Sequence, residues 1–476
     1  MQWLQRSVGL AIIGCASAGA LLLWLAVAAG GPRAGRSPEE GLLFGAWQVF
    51  YDTEVPSPRV VMAAAGLALL LAAGVASLER WIATRARRSQ DPDRLPLAPK
   101  LVMAQTRGRY AGPVTITVLV PAHNEEGCIT ETLASLRSQS HPPARIIVVA
   151  DNCTDATVRL AREAGVEVFE TVDNDKKKAG GLNQAIARVL PGMGENDCVM
   201  VMDADTSLDQ GFLEAAARRL GDDRALMAVG GLFYGEEGGG LIGLFQRNEY
   251  TRYQRDLKRR RGRVFVLTGT ASVFRSRALR AVAEERGRNL PGIPGDVYDT
   301  VALTEDNELT IALKSLGALM VSPPDCTVVT EVMPTWRGLW AQRLRWQRGA
   351  LENLGAYGLR PATFRYWAQQ LGIGYGVIAL ATYLGLIVLM VVATDTWVWF
   401  PFWIGVGLVF TLERLVTVWR GGWKARLLAL TLFPELFYAM FLNVVYVKGV
   451  WDLSLAKQAA WKHVVQPSHA LRVEET

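Results

Sequence analysis

Cysteine is scarce and scattered: Cys15, Cys128, Cys153, Cys198 and Cys326 are the whole complement in 476 residues, with no CxxC pair. That spacing excludes a disulfide framework. There is no internal repeat and no low-complexity tract, so a repeat architecture is excluded as well. Strong charge is also missing. The net charge is only +6 at pH 7, and much of the excess lies in arginines beside apolar segments, where anionic lipid accounts for it. It gives no argument for nucleic acid. The densest basic run, Arg255 to Arg263 (RDLKRRRGR), reads as a solvated or lipid-facing turn rather than a phosphate site.

What the chain has in quantity is hydrophobic residues, 50% of the total, clustered towards both ends. Val8 to Ala29 carries no charge, and at about 1.5 Å per residue it is long enough to cross roughly 30 Å of hydrocarbon. Val60 to Leu78, Leu371 to Ala393, Trp397 to Val418 and Leu427 to Val447 are further candidate spans. A secretory signal is the rival reading of the first, since Ala26-Val27-Ala28 has a small-residue cleavage pattern. Under either reading the part between Leu78 and Leu371 faces the cytoplasm. Arg80, Arg85, Arg87 and Arg88 after the second span, and Arg420, Lys424 and Arg426 after the fourth, agree with that side. Pro434 and Glu435 leave room for a broken or re-entrant fifth span, and the side of the tail, residues 448–476, stays open. The expected organisation is two membrane helices within 1–90, a cytoplasmic domain over 100–350, three membrane or re-entrant helices over 371–447, and that tail.

The Pro-rich linker Asp91 to Lys100 opens the central domain. Val114 to Val120, Arg145 to Ala150, Val166 to Glu170 and Cys198 to Met202 read as short strands separated by amphipathic helices, the pattern of a parallel α/β sheet. The strands are nearly all apolar, as helices on both faces require. Polar clusters follow three of them: His123-Asn124-Glu125, Asp151-Asn152 and Asp203-Ala204-Asp205. Ligands of open α/β sheets bind beyond the carboxyl ends of the strands, so these clusters are expected to share one pocket.

Asp203 and Asp205 emerge together where a strand stops. Two carboxylates with open space suit Mg²⁺ or Mn²⁺, which take carboxylate and phosphate oxygens and keep positions for substrate and water. A lone DxD also arises as a cap or surface turn, so the surrounding motifs decide. In order, PAHNEE (Pro121–Glu126), DNCTD (Asp151–Asp155), KAGGLN (Lys178–Asn183), DAD (Asp203–Asp205), TED (Thr304–Asp306) and QRLRW (Gln342–Trp346) resemble the family 2 inverting glycosyltransferases of GT-A fold, in particular the processive membrane synthases of cellulose, poly-N-acetylglucosamine and hyaluronan. The resemblance covers roughly Val114 to Gly349.

It implies a GT-A domain, a Rossmann-like mixed and mainly parallel sheet, inserted between membrane helices. It also implies residue roles. Pro121, Ala122 and Glu125 would line the nucleoside pocket and Asp151 would accept from uracil or ribose, while Asp155 fits a helix cap as well. Lys178 would approach the donor phosphates, and Asn183 would bond backbone near the pocket. Asp203 would face the ribose or metal and Asp205 the metal itself. Glu305 and Asp306 would be the catalytic carboxylates, Asp306 as general base; alone, they also fit acidic residues at a helix N-terminus. Gln342, Arg343, Arg345 and Trp346 would hold the diphosphate and a sugar, although an interfacial aromatic anchor has the same composition. Gly269 to Ser272, after the apolar run Val264 to Leu267, matches an acceptor segment loosely and fits a strand followed by a turn equally well.

The expected activity is inverting sugar transfer from a nucleotide-sugar, UDP-linked on family grounds, to a growing β-linked polysaccharide. The expected setting is the cytoplasmic face of the plasma (inner) membrane, among its lipids. The alternative is a single transfer to a lipid or other membrane acceptor. A transporter is disfavoured because the carboxylates cluster outside the spans. A homo-oligomer or an accessory export subunit would complete a passage that five spans leave narrow.

Overall fold

The computed structural model describes residues 9–10, 12–14, 17, 21, 39–43, 47–51, 58–108, 112–260, 262–393 and 398–457. Apart from isolated positions, the first candidate span lies outside them, as does the tail beyond Lys457. The chain forms two compact units, one spanning Ile82–Thr363 and the other the segments before and after it.

The central unit is built on a seven-stranded sheet. Its elements are β1 (Thr115–Ala122), α1 (Ile129–Arg137), β2 (Arg145–Ala150), α2 (Thr157–Glu163), β3 (Glu167–Glu170), α3 (Lys177–Val189), β4 (Asp197–Val201), β5 (Thr206–Leu208), α4 (Phe212–Asp222), β6 (Leu226–Gly230), β7 (Leu232–Gly235), α5 (Gly240–Arg259), β8 (Ser272–Arg275), α6 (Ser276–Glu285), α7 (Glu305–Ser315), β9 (Leu319–Val321), β10 (Thr327–Thr330) and α8 (Trp336–Tyr357). The strand order is β9-β6-β8-β4-β1-β2-β3. Pairing is parallel except at β8, which runs antiparallel to both β4 and β6. A second sheet, β5-β10-β7, lies beyond DAD, with Thr206 opposite Thr330.

The four strands read from apolar runs all form, with ends within two residues of expectation. The reason is visible in β1: Val118, Leu119 and Val120 are fully buried, each contributing about 1.5–3 kcal/mol. An aspartate at Val118 would break this centre. The Val264 to Leu267 run is different, because the strand begins only at Ser272, the last residue of GTAS. Arg275, fully buried at the end of β8, is tolerated there because its guanidinium donates to the carbonyls of Leu226, Glu195, Leu220 and Asp223, capping the C-terminal end of α4.

The other unit contains the helices α9 (Phe364–Ala393), α10 (Pro401–Thr417), α11 (Gly422–Thr431) and α12 (Phe433–Ser454). The expected fifth span is therefore two helices. Leu432, at φ 53°, breaks the chain just before Pro434, whose ring cannot continue a helix from the preceding turn. Arg414 pairs with the buried Glu435 at 3.3 Å, and Tyr446 donates to the Gln370 carbonyl at 2.9 Å. Among the described residues, Ala65–Arg88 and Phe433–Ser454 are long and apolar enough to cross a membrane by length and composition.

Candidate active site

The polar ends of β1, β2 and β4 meet. His123 Nδ1 lies 2.6 Å from the Asp151 carbonyl, and the Glu125 amide donates to Thr157 Oγ1 at 2.8 Å. Asn124 takes φ 60°, a left-handed conformation that asparagine tolerates, and turns its Oδ1 to the Thr154 amide at 2.7 Å. Asp155 accepts from the Thr157 amide and hydroxyl and from the Glu126 amide, so it caps the start of α2 and ties PAHNEE to DNCTD. Asp151 is 8% exposed, and its Oδ1 accepts from Thr171, Asn174 and Asn152. This network fixes the carboxylate beside Pro121 and Ala122, whose strand register with Val149 and Ala150 is continuous.

Lys178 stands in the first turn of α3 and bridges two carboxylates, Asp203 at 2.5 Å and Glu305 at 2.9 Å. Burial alone would lower its pKa, but the two anions outweigh it and hold the ammonium well above the usual lysine range. Burial would likewise push Glu305 up, and Lys178 holds it below the ordinary value instead. KAGGLN and TED therefore meet at DAD, as one ion-paired cluster.

Asp306 follows Glu305 in the first turn of α7. Its Oδ2 accepts the Gly269 amide at 3.2 Å and its Oδ1 its neighbour Asn307's amide at 2.7 Å. Burial, then the Glu305 charge, pushes its carboxyl up to about 6, against the pull of Lys178. Gly269 packs so closely on the cluster that a Cβ there would lie 3.1 Å from Lys178 Nζ and 3.3 Å from Asp203 Oδ2. GTAS thus stands directly against the TED and DAD carboxylates. A narrow crevice between them is lined by Lys178, Gly269, Tyr298, Glu305 and Asp306.

Asp205 keeps an exposed edge, yet desolvation by the packing around it, then the charges of Asp203, Glu125 and Glu331, push its carboxyl up to about 7. Burial raises Glu125 too, with Asp203 and Glu331 adding to it. Glu331 was not legible from motifs. It follows β10, one residue beyond the Thr330–Thr206 pair that ends the β5–β10 ladder, near enough to Asp205 for the two like charges to repel. Among the described residues no three carboxylates converge as a ready-made cation cage, so a Mg²⁺ or Mn²⁺ ion would rest on Asp205 and Asp203, with water and phosphate oxygens filling its other positions.

Within QRLRW the residues part company. Arg343 is 3% exposed, pairs one arm with Glu249 at 2.9 Å and stacks over Trp346 at 4.2 Å. Gln342 carries a buried Oε1 with no hydrogen-bond partner among the described residues. Arg345 is half-buried, and its charge reaches Glu305. Asn183 does bond backbone: it accepts from the amides of Val297 and Tyr298 and donates to the Tyr298 carbonyl. Arg286, Tyr298 and Glu308 carry no motif signal, because their roles depend on contacts distant in sequence.

The family model for glycosyl transferase family 2 matches residues 117–283. A poly-β-1,6-N-acetyl-D-glucosamine synthase of Staphylococcus aureus is 28% identical over 245 residues, which are 50% of this chain and 55% of the relative. The match spans about half the length of that relative. Among solved structures, the mannosyltransferase PcManGT from Pyrobaculum calidifontis, in complex with GDP-Man and Mn²⁺, is 17% identical, with coverage of 83% and 99% and a TM-score of 0.46. A Mycobacterium tuberculosis glucosyl-3-phosphoglycerate synthase with Mn²⁺ and UDP is 18% identical, with coverage of 55% and 85% and a TM-score of 0.33. Residues 117–283 thus match glycosyl transferase family 2, and over 245 residues, half of its length, the chain is similar to a poly-β-1,6-N-acetyl-D-glucosamine synthase.

Proposed function

We propose that the chain transfers a sugar, with inversion, from a UDP-sugar to a growing β-linked polysaccharide at the membrane. The observation that carries this is the convergence of Asp203, Asp205, Lys178 and Asp306 in one cleft, with Asp306 raised to about 6 beside a lysine held charged. Asp151, with Oδ1 fixed by three donors, orients the nucleoside against Pro121, Ala122 and Glu125. Asp205 and Asp203 hold Mg²⁺ or Mn²⁺, which when bound supplies positive charge to the departing diphosphate. Lys178 exchanges Asp203 for the donor phosphates, and Arg345 adds a second cation. Arg343 supports Trp346, whose ring packs against a sugar, and Gln342 presents a polar edge nearby.

Asp306 takes the proton of the acceptor hydroxyl as that oxygen bonds to the anomeric carbon from the face opposite the diphosphate. The carbon–diphosphate oxygen bond breaks with its electron pair, and an α-linked donor yields a β-linked product. A base with a pKa near 6 is deprotonated at neutral pH yet still basic enough to assist. Glu305 keeps Lys178 in place. The helices Ala65–Arg88 and Phe433–Ser454 support a membrane setting, and the arginines Arg80, Arg85, Arg87 and Arg88 support a cytoplasmic catalytic domain.

The test is UDP release by the detergent-solubilised full chain against a panel of UDP-sugars, with Mg²⁺ or Mn²⁺, for wild type and Asp306→Asn. UDP-N-acetylglucosamine comes first, because the Staphylococcus aureus relative is named for that sugar. Turnover with one donor, lost by about 10²–10⁴-fold in the variant, is expected. No metal-dependent turnover with any donor, in folded protein, would refute the reading. Products one sugar long on a lipid would replace the polymer by the single-transfer alternative.

A further inference from the structure

The candidate base is aimed by backbone alone. Both hydrogen bonds to the Asp306 carboxylate come from main-chain amides, those of Gly269 and Asn307. Whatever fixes the first turn of α7 therefore fixes the direction of the base. Glu308 lies in that turn, 1% exposed. Its carboxylate takes both arms of Arg286, at 2.5 and 2.7 Å, and the Tyr357 hydroxyl at 2.5 Å.

Each partner leads to another part of the site. Tyr357 belongs to α8, the QRLRW helix, whose face at four-residue spacing continues through Asn353 and Gly349. Asn353 Nδ2 donates to Asn307 Oδ1 at 3.0 Å and to the Thr304 carbonyl at 3.3 Å. A Cβ on Gly349 would lie 2.6 Å from Thr304 Cγ2, so glycine lets the two helices touch at the N-cap. Arg286 also donates to the carbonyls of Pro291 and Val297, at 2.8 and 2.6 Å, and the next residue, Tyr298, lines the crevice with Lys178, Glu305 and Asp306. Asn183 of KAGGLN holds Tyr298 from the other side. A buried ion pair is a weak stability device, since apolar residues of similar volume often do as well. Bidentate geometry shared by three segments of one site serves position instead.

We propose that Glu308 is the positioning residue of this site: through Tyr357 and Arg286 it locks the TED helix to the QRLRW helix and to the Tyr298 segment, and so sets where the Asp306 carboxylate points. This rests on the glycosyl-transfer reading above. The experiment compares the full chain in detergent with Tyr357→Phe and Glu308→Gln, measuring kcat, donor KM, affinity for UDP with Mn²⁺, and thermal unfolding. Tyr357→Phe removes one hydroxyl and keeps the ion pair, so it tests the idea even where Glu308→Gln does not fold. Tyr357→Phe is expected to lower kcat tenfold or more, with donor KM and UDP affinity within twofold of wild type. Glu195→Gln, which weakens the half-exposed pair with Arg277 away from the cleft, should leave kcat unchanged. A folded Tyr357→Phe with wild-type kcat overturns the proposal, as does loss of kcat and UDP affinity in parallel. If the wild type itself releases no UDP from any donor, the functional reading has failed and this proposal falls with it.

Discussion

Replacing Gly269 by alanine places one methyl group at the point where three motifs meet. The new Cβ would lie 3.1 Å from Lys178 Nζ and 3.3 Å from Asp203 Oδ2, with no backbone atom among the close neighbours. Ordinary contact is about 3.5–4.0 Å, so the side-chain tips must retreat by roughly half an ångström. Folding should tolerate this. Lys178 and Asp203 are each about 30% exposed, flexible at their ends and screened by water, and the expected loss of stability is below about 1 kcal/mol. Activity should not tolerate it. A misplacement of about 1 Å at a reacting centre costs on the order of 10²-fold, and half that displacement costs roughly tenfold, about 1.4 kcal/mol. Thermal unfolding and UDP release measured on the same preparation separate the two effects. A folded Gly269→Ala with activity within twofold of wild type would refute the reasoning, because the GTAS loop would not then border the reacting groups. A loss of stability above about 2 kcal/mol would refute it differently, making the glycine structural.

Other outcomes follow from the same cleft. Because a protonated base cannot accept, kcat should fall about tenfold per pH unit below roughly 5.5 and level off above about 6.5, read as UDP release from pH 4.5 to 8. Binding of Mn²⁺ competes with the proton that Asp205 holds up to about 7, so affinity should weaken from pH 8 to pH 6; a flat response in an EPR titration would remove Asp205 from the cation site. Gly180→Ala should destabilise by more than about 1 kcal/mol, since its Cβ would run into the Asn174 side chain and meet Lys176 Cβ at 2.7 Å, whereas Gly181→Ala, whose tightest contact is the Thr171 methyl at 3.2 Å, should stay within about 1 kcal/mol of wild type by thermal unfolding.

The helix-covered strands were legible because burial on both faces demands uninterrupted apolar runs, as in Arg145–Ala150. The motif ends were legible too, since DNCTD, KAGGLN, DAD and TED keep their chemistry in a few adjacent residues. Asp155, which the sequence left open to a capping role, accepts from the Thr157 amide at the start of α2 as that role requires. Arg343 shows the limit of such a reading, because a guanidinium in a motif gives no sign of Glu249, 94 positions earlier, which holds one arm of it. Glu331 and Glu308 escaped for a related reason. One is placed by a strand register and the other by a buried arginine, and neither relation leaves a local pattern. The break at Leu432 was legible in Pro434 and Glu435, even though hydropathy over Leu427 to Val447 continues across it.

The reversed strand β8 has a topological consequence. Ser272 pairs with Val201, so β8 begins at the edge where its parallel neighbours finish. A parallel strand reaches that edge only with the loop that leaves it; β8 brings the loop that enters it. GTAS thereby arrives beside DAD on the entry to β8, after α5, with its last residue paired to β4. Substitutions there would reshape one wall of the cleft while leaving the register of β1 with β2 untouched.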